Sequence, residues 1–281
     1  MNVEAIMTPR EEVVAVEIPG TRDDALEYLQ DREFSSVPAV KQTEDGEVFR
    51  GIVSRGALIE HPDEDQLALL ADEVEPTTRD TSLSAVAERM VTEGDRRLPV
   101  AESDQLVGIV TVTDVVRAIA RGEGTELTVA DVAGSAVNCV YSETPLPVAE
   151  RELAYADVPY AVVLDEEGVA GILTEVDILA VARVVEGEAE TGESIANQDD
   201  EWAWEGIKAV GNSYMPTRNV ELPTGPVSAF MTDSLVTVSG TRSVAEAAQL
   251  LAEHDIEQIP MLRGGDLIGI VQDIDLLEAM R

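Results

Sequence analysis

Basic residues are scarce. Lys+Arg number 19 against 56 Asp+Glu in 281 residues, a formal net charge of −37. That balance excludes a general nucleic-acid-backbone binder, which needs a basic surface. Cysteine is almost absent, and Cys139 alone excludes an intramolecular disulfide and any cysteine-based metal cluster. Its place in the apolar run Val137 to Val140 predicts a core or buried-edge position. No apolar run approaches the roughly 18–20 residues of a transmembrane helix. The segment opened by Met1 has an early acid and no signal-peptide apolar core, so the expected setting is the cytoplasm, without a membrane partner. The two histidines, His61 and His254, have no metal-spaced partner, and no metal is expected. His254 precedes Asp255 at a predicted helix end, where it caps or pairs. Phosphate-loop phrases are missing too: Gly122-Glu123-Gly124 runs on into Thr125-Glu126-Leu127 without a third glycine. No catalytic set emerges, and enzymatic activity is not expected.

Aromatic residues are only 4% of the chain, yet hydrophobic residues reach 44%, enough for a packed core. The length is about twice that of a typical single domain. Lysine occurs only as Lys41 and Lys208; every other basic residue is arginine. The carboxylates are scattered rather than blocked, which points to a uniformly acidic shell instead of an interaction tail. In this the chain resembles cytoplasmic proteins of salt-accumulating, halophilic archaea.

Four internal repeats organise what is there. The phrase Gly-Ile-Val/Leu plus a polar residue occurs as Gly51-Ile52-Val53-Ser54, Gly108-Ile109-Val110-Thr111, Gly171-Ile172-Leu173-Thr174 and Gly269-Ile270-Val271-Gln272. An apolar residue and a proline precede each one: Val37-Pro38, Leu98-Pro99, Val158-Pro159 and Ile259-Pro260. Each proline follows a segment with helical apolar spacing, such as Val244, Ala248 and Leu251 behind a Ser243 N-cap. The unit reads strand, helix, strand, turn, strand, helix, with short apolar later strands (Val37–Val40 and Ile52–Val53 in the first copy).

The repeated glycines at 51, 108 and 171 are 57 and 63 residues apart, but the last step, to 269, is 98. The excess falls in an insert near 183–226. Its acidic run from Glu186 to Glu201 is expected to be mobile. Its second half, with Trp202, Trp204 and Lys208, is expected to be ordered, with both tryptophans partly buried.

A helix is predicted to begin after each Gly-Ile-Val strand. At its mouth stand Thr111 and Asp114, Thr174 and Asp177, and Gln272 and Asp275; the first repeat has Ser54 and then Ala57. These pairs have two readings. They cap the helix, or they form a nucleotide clamp. In the clamp the helix N-terminus and the threonine hydroxyl donate to phosphate, and the acceptor-only carboxylate receives the ribose hydroxyls.

The repeated phrase, best developed as Gly-Ile-Val-Thr-Val-Thr-Asp at 108–114, resembles the CBS domain. The resemblance implies an α+β fold of four βαββα repeats, paired into two Bateman modules that form a disc. The modules are expected at 1–121 (repeats one and two) and 127–281 (repeats three and four plus the insert), joined by the Arg121–Thr125 linker. One such unit cannot bury both faces of its small sheet, which is the physical reason for pairing. The layout resembles the regulatory γ subunit of AMP-activated kinase and archaeal four-CBS nucleotide binders.

The ligand this implies is an adenine nucleotide: AMP, ADP or ATP. By the same resemblance Asp114, Asp177 and Asp275 hold ribose, and Ile109, Ile172 and Ile270 flank the base. Phe34, Tyr155 and Ile256, four residues before a proline, line the base pocket; repeat two departs with Asp95. Arg96 and Arg97 reach phosphate, where the other repeats carry Ser35/Ser36, Ala156/Asp157 and Glu257/Gln258. Arg218, in Gly211–Asn219, is a further phosphate candidate. Ala57 leaves the first repeat's cleft empty or weakest, and the Asp114 site ranks first. The implied role is a non-enzymatic regulator, monomeric or homodimeric, that signals to an unidentified protein effector. An S-adenosylmethionine-type ligand and a structural subunit with empty clefts are the alternatives.

The charge itself generates a test. Unscreened at low ionic strength, −37 opposes the compact state. Circular dichroism through a KCl titration is expected to show loss of structure well below molar salt. An unchanged cooperative fold in low-salt buffer rejects the halophile reading.

Overall fold

The computed structural model describes residues 1–31, 36–44, 46–61, 64–103, 105–122, 126–156, 158–186, 207–210, 213–216 and 218–281. Repeat one carries β1 (Thr8–Pro9), β2 (Val16–Glu17), α1 (Arg22–Asp31), β3 (Ser36–Thr43), β4 (Gly46–Ser54) and α2 (Arg55–Glu60). Repeat two carries α3 (Leu67–Leu70), β5 (Ala71–Asp72), α4 (Leu83–Glu93), β6 (Arg97–Glu102), β7 (Gln105–Thr111) and α5 (Val112–Ala120). Repeat three carries α6 (Val129–Val132), β8 (Cys139–Tyr141), α7 (Leu146–Ala156), β9 (Tyr160–Asp165), β10 (Gly168–Thr174) and α8 (Glu175–Val181). The insert adds β11 (Arg183–Glu186), β12 (Ile207–Val210), β13 (Ser213–Pro216) and β14 (Arg218–Glu221). Repeat four closes with α9 (Val244–His254), β15 (Gln258–Arg263), β16 (Asp266–Gln272) and a 3₁₀ helix over Ile274–Met280. The expected α+β class and four-repeat layout are present.

Each repeat is built the same way. A leading segment runs parallel to the strand that contains the proline or, in repeat three, directly follows it, in register at Val16/Ala39, Thr77/Val100, Cys139/Val162 and Val238/Met261. A helix makes the crossover, and an antiparallel hairpin returns through the glycine strand. In the fourth repeat Val244, Ala247, Ala248 and Leu251 are buried, and the Ser243 hydroxyl accepts from the Glu246 N–H, as the helical spacing predicts.

The glycine of each phrase marks where the sibling repeat crosses. Thr8 of repeat one pairs with Ile109 of repeat two, and Asp72 of repeat two pairs with Ile52 of repeat one. Thr232 of repeat four bridges Ile172 of repeat three, and Gly134 of repeat three bridges Ile270 of repeat four. A Cβ on Gly51, Gly108, Gly171 or Gly269 would stand 2.6, 2.6, 2.7 or 2.8 Å from the carbonyl oxygen of Asp72, Thr8, Thr232 or Gly134 respectively. No side chain fits there, because the sibling's backbone already does.

The two modules share one interior. Leu83, Val86 and Met90 of α4 and Val115, Val116 and Ile119 of α5 belong to the same buried cluster as Val244, Ala248 and Leu251 of α9 and Leu276 and Leu277 of the 3₁₀ helix. Repeats two and four are thus welded by apolar burial. Repeats one and three meet more lightly, with Leu179 of α8 entering the first repeat's core. No helix among the described residues is long and apolar enough to cross a membrane.

Two expectations are corrected. Cys139 is exposed, not core or buried edge: three-residue β8 alternates, and Val140 alone turns inward. The last helix is 3₁₀, its first N–H accepted by Asp273, with Gln272 in place of the threonine that caps α5 and α8. The insert's β11 pairs with β14 and β12 with β13. Trp202, Trp204 and the acidic run after Glu186 lie outside the described residues.

Gly108→Ala is expected to destabilise by roughly 1–3 kcal/mol, the usual range for overpacking. Gly56→Ala is expected to be neutral or stabilising, because its Cβ would meet only Ser54 Oγ, at 3.7 Å, inside α2. Denaturant unfolding of both variants in molar KCl decides; equal effects count against the crossing as the reason for the glycines.

Candidate functional site

Helices α5 and α8 start with reciprocal caps. Thr111 Oγ1 accepts from the Asp114 N–H (3.3 Å), while its hydroxyl donates to Asp114 Oδ2 (2.8 Å) and its N–H does the same (2.9 Å). Thr174 and Asp177 repeat the arrangement at 3.4, 2.8 and 2.8 Å. The capping reading is therefore realised, and it changes the clamp. Both threonine protons that could have met phosphate are taken by the aspartate. The carboxylate keeps its second oxygen: Asp114 Oδ1 has Arg117 at 3.7 Å, and Asp177 Oδ1 has Thr232 Oγ1 at 3.5 Å. Asp114 is buried, and burial raises its pKa against the pull of the Thr111 bonds; burial also raises Asp177 and Asp275.

Both caps open onto one cavity of about 710 Å³ at the seam between the modules. One half combines Ile109, Thr111, Asp114 and Arg97 of repeat two with Val13, Ser36 and Pro38 of repeat one. The other combines Ile172, Thr174 and Asp177 of repeat three with Thr232, Ile256 and Pro260 of repeat four. Its size falls within the ~300–1,000 Å³ of small-molecule sites.

Other expected residues lie elsewhere. Tyr155 is 88% exposed on α7 and does not line the cavity, because the wall position it was to fill lies on the solvent side of its helix. Ile270 is buried in the core beneath the Gly134 crossing, and Asp275 Oδ2 accepts from the Gln272 N–H away from the cavity. Phe34 lies outside the described residues. Arg218 stands on β14 in register with Glu186; its side chain is likewise outside the described residues.

The arginines divide. Arg97 lines the cavity and donates to Ser36 Oγ at 2.8 Å; burial lowers its pKa to about 10, so it stays charged at neutral pH. Arg96 turns to the other module, donating to Asp273 Oδ2 at 2.6 Å with Glu257 at 3.3 Å. A phosphate role for Arg96 must compete with those carboxylates. Among the charged wall residues that the sequence reading missed, two are buried: Arg55, directly after Ser54, and Asp273, directly after Gln272. The signal was present. The position after the cap reads Arg55, Val112, Glu175 and Asp273 in the four repeats, a cation in the first module and two acids in the second that only a shared centre makes meaningful.

Known proteins share this framework. A family model described as CBS domain matches residues 3–64, 69–121, 129–183 and 227–281. An uncharacterized Methanocaldococcus jannaschii protein, MJ1404, is 25% identical over 280 residues, 98% of this chain. The chain spans 61% of that relative's length. The crystal structure of an uncharacterized conserved protein from Pyrococcus horikoshii is 26% identical, with a TM-score of 0.66 over 100% of both chains. MJ1225 of M. jannaschii, described as a candidate archaeal homolog of g-AMPK, superposes with a TM-score of 0.77 over 100% of both chains at 15% identity, a likeness of fold.

Burial pushes Asp273 up to about 6 against the attraction of Arg96. The folded chain then holds this proton more tightly than the unfolded chain, whose carboxyl titrates near 3.8. Ionising Asp273 costs the fold, in full above about pH 6 and not at all below about pH 4. Asp273→Asn is therefore expected to be most stabilising relative to wild type at pH 7. That difference should shrink by on the order of 1–3 kcal/mol as the pH falls toward 4. A difference that stays constant in denaturant unfolding across this window contradicts the assignment.

Proposed function

The chain belongs to the CBS-domain family, and from that premise we propose that it is a regulatory protein that binds an adenine nucleotide in the cavity at the module seam. The observation that carries this reading is Asp114. Its Oδ2 is occupied by the cap, while its Oδ1 sits in a buried wall with Arg117 at the longer distance of 3.7 Å. An ionised carboxylate of this kind accepts from a ribose diol. Ile109, Val13 and Pro38 supply an apolar wall for a base, and Arg97 supplies a cation for phosphate. Acceptor, apolar slot and guanidinium converge as a mononucleotide requires.

Regulation follows if the ligand favours one arrangement of the two modules. The cavity is walled by all four repeats, so a bound molecule touches both modules at once. A change in their packing is available to an effector protein only to the extent that the ligand binds one arrangement better. The acidic surface and the archaeal relatives support a cytoplasmic setting in a salt-accumulating archaeon.

A second reading is favoured for the Asp177 half. There the charged wall residues contributed by repeats three and four among the described residues are acids, including Glu175, Asp255 and Glu257. An adenosyl ligand without phosphate, such as S-adenosylmethionine, suits that half better than a nucleotide.

Calorimetry in molar KCl tests the reading. Asp114→Asn keeps an acceptor for the cap but loses the charge, and is expected to weaken AMP about tenfold or more. Arg97→Ala is expected to weaken AMP but leave adenosine nearly unchanged. Wild-type affinity in Asp114→Asn, with loss in Asp177→Asn, moves the principal site to the second module.

A further inference from the structure

The charges around the seam are sorted by module. Arg55 comes from repeat one, and Arg96 and Arg97 from repeat two. Facing them are Glu175 from repeat three and Glu257 and Asp273 from repeat four. Arg96 holds Asp273 and Glu257 at 2.6 and 3.3 Å and feels Glu175 as well. Arg97 is attracted by Glu257 and Asp273 and repelled by Arg55 and Arg96. Module one thus brings the guanidinia to the centre, and module two brings five of the seven cavity carboxylates, the others being Glu12 and Asp114 of module one.

This sorting bears on which ligand fits. A phosphate placed at Arg97 enters a group of cations that already have anionic partners. Across the whole cavity seven carboxylates and three guanidinia line the described wall, so negative charge is in excess before any ligand arrives. One phosphate can be met by Arg97 beside Asp114. A polyphosphate tail that extends from there across the seam meets Glu257, Glu175 and Asp273, which line the same cavity. Like charges in a partly buried wall are screened by salt far less than surface charges.

We propose that the module-two acids at the seam, led by Glu257, make the Asp114 site selective for a nucleoside monophosphate over a nucleoside triphosphate. This rests on the nucleotide reading of the cavity and adds to it the class of nucleotide and the residues that choose it. Glu257 sits at the edge of the group, its side chain 42% exposed, so it can be neutralised without opening the core. Glu175, just inside the α8 cap, is the second member open to change.

The test is calorimetry of AMP and ATP in molar KCl with EDTA, so that each carries its full charge. The proteins are wild type, Glu257→Gln, Glu175→Gln and, as a remote control, Glu88→Gln on the exposed face of α4. Wild type is expected to bind AMP at least about tenfold more tightly than ATP. Glu257→Gln is expected to narrow that ratio about threefold or more, chiefly by strengthening ATP, with Glu175→Gln acting in the same direction and Glu88→Gln leaving it unchanged. Unfolding midpoints confirm that each variant is folded. Equal wild-type affinity for AMP and ATP, or a ratio unmoved in both seam variants, overturns the selectivity while leaving nucleotide binding in place. Binding of neither nucleotide by folded wild type overturns the nucleotide reading itself, and the selectivity with it.

Discussion

The close approach of two backbones at each repeated glycine is the constraint on which the rest of the molecule depends. In every module the leading segment of one repeat lies across the glycine strand of the other. The carbonyl oxygens of Thr8, Asp72, Gly134 and Thr232 occupy the space a side chain would need. A repeat therefore cannot complete its sheet alone; it borrows an edge from its sibling. This exchange also sets the phase of everything downstream. In repeats one to three the last residue of the glycine strand is the cap of the next helix.

At the seam two kinds of interaction divide the work. Apolar burial between α4, α5, α9 and the last 3₁₀ helix supplies the attraction. The Arg96 cluster supplies little net stability, because its charges lose hydration on burial, as the raised Asp273 pKa registers. What it supplies is matching: the Arg96 guanidinium of one module meets Asp273 and Glu257 of the other, in one relative position. A ligand that brings its own charge to the same place acts on that match. This is the physical route by which a small molecule could alter how the modules meet.

The Thr-x-x-Asp pair shows how one feature serves structure and site together. The capping box holds the aspartate rotamer by two hydrogen bonds to Oδ2, from the Thr111 N–H and hydroxyl, which fixes where the second carboxylate oxygen points. Capping and ligand recognition were alternatives on sequence grounds. In the structure the cap is formed, and it fixes the carboxylate on which the proposed ligand contact rests, at the expense of the threonine as a phosphate donor.

The sequence by itself determined the repeat, its element order and its caps, because these are local. A glycine strand, a proline strand and an N-cap are set by neighbours within a few residues. The pairing of Thr111 with Asp114 and Thr174 with Asp177 was readable for the same reason. It also located Ile109, Asp114 and Arg97, which the fold does bring to one wall. It could not show that Tyr155 faces solvent, that Cys139 turns outward on a three-residue strand, or that Asp275 lies away from the cavity. Those depend on which face of an element the sibling repeat covers. Nor could it connect Arg96 with Asp273, 177 residues away in the chain. Only the docking of one module on the other decided that contact, because charge pairing at a distance in sequence is fixed by how apolar surfaces pack and not by any local rule.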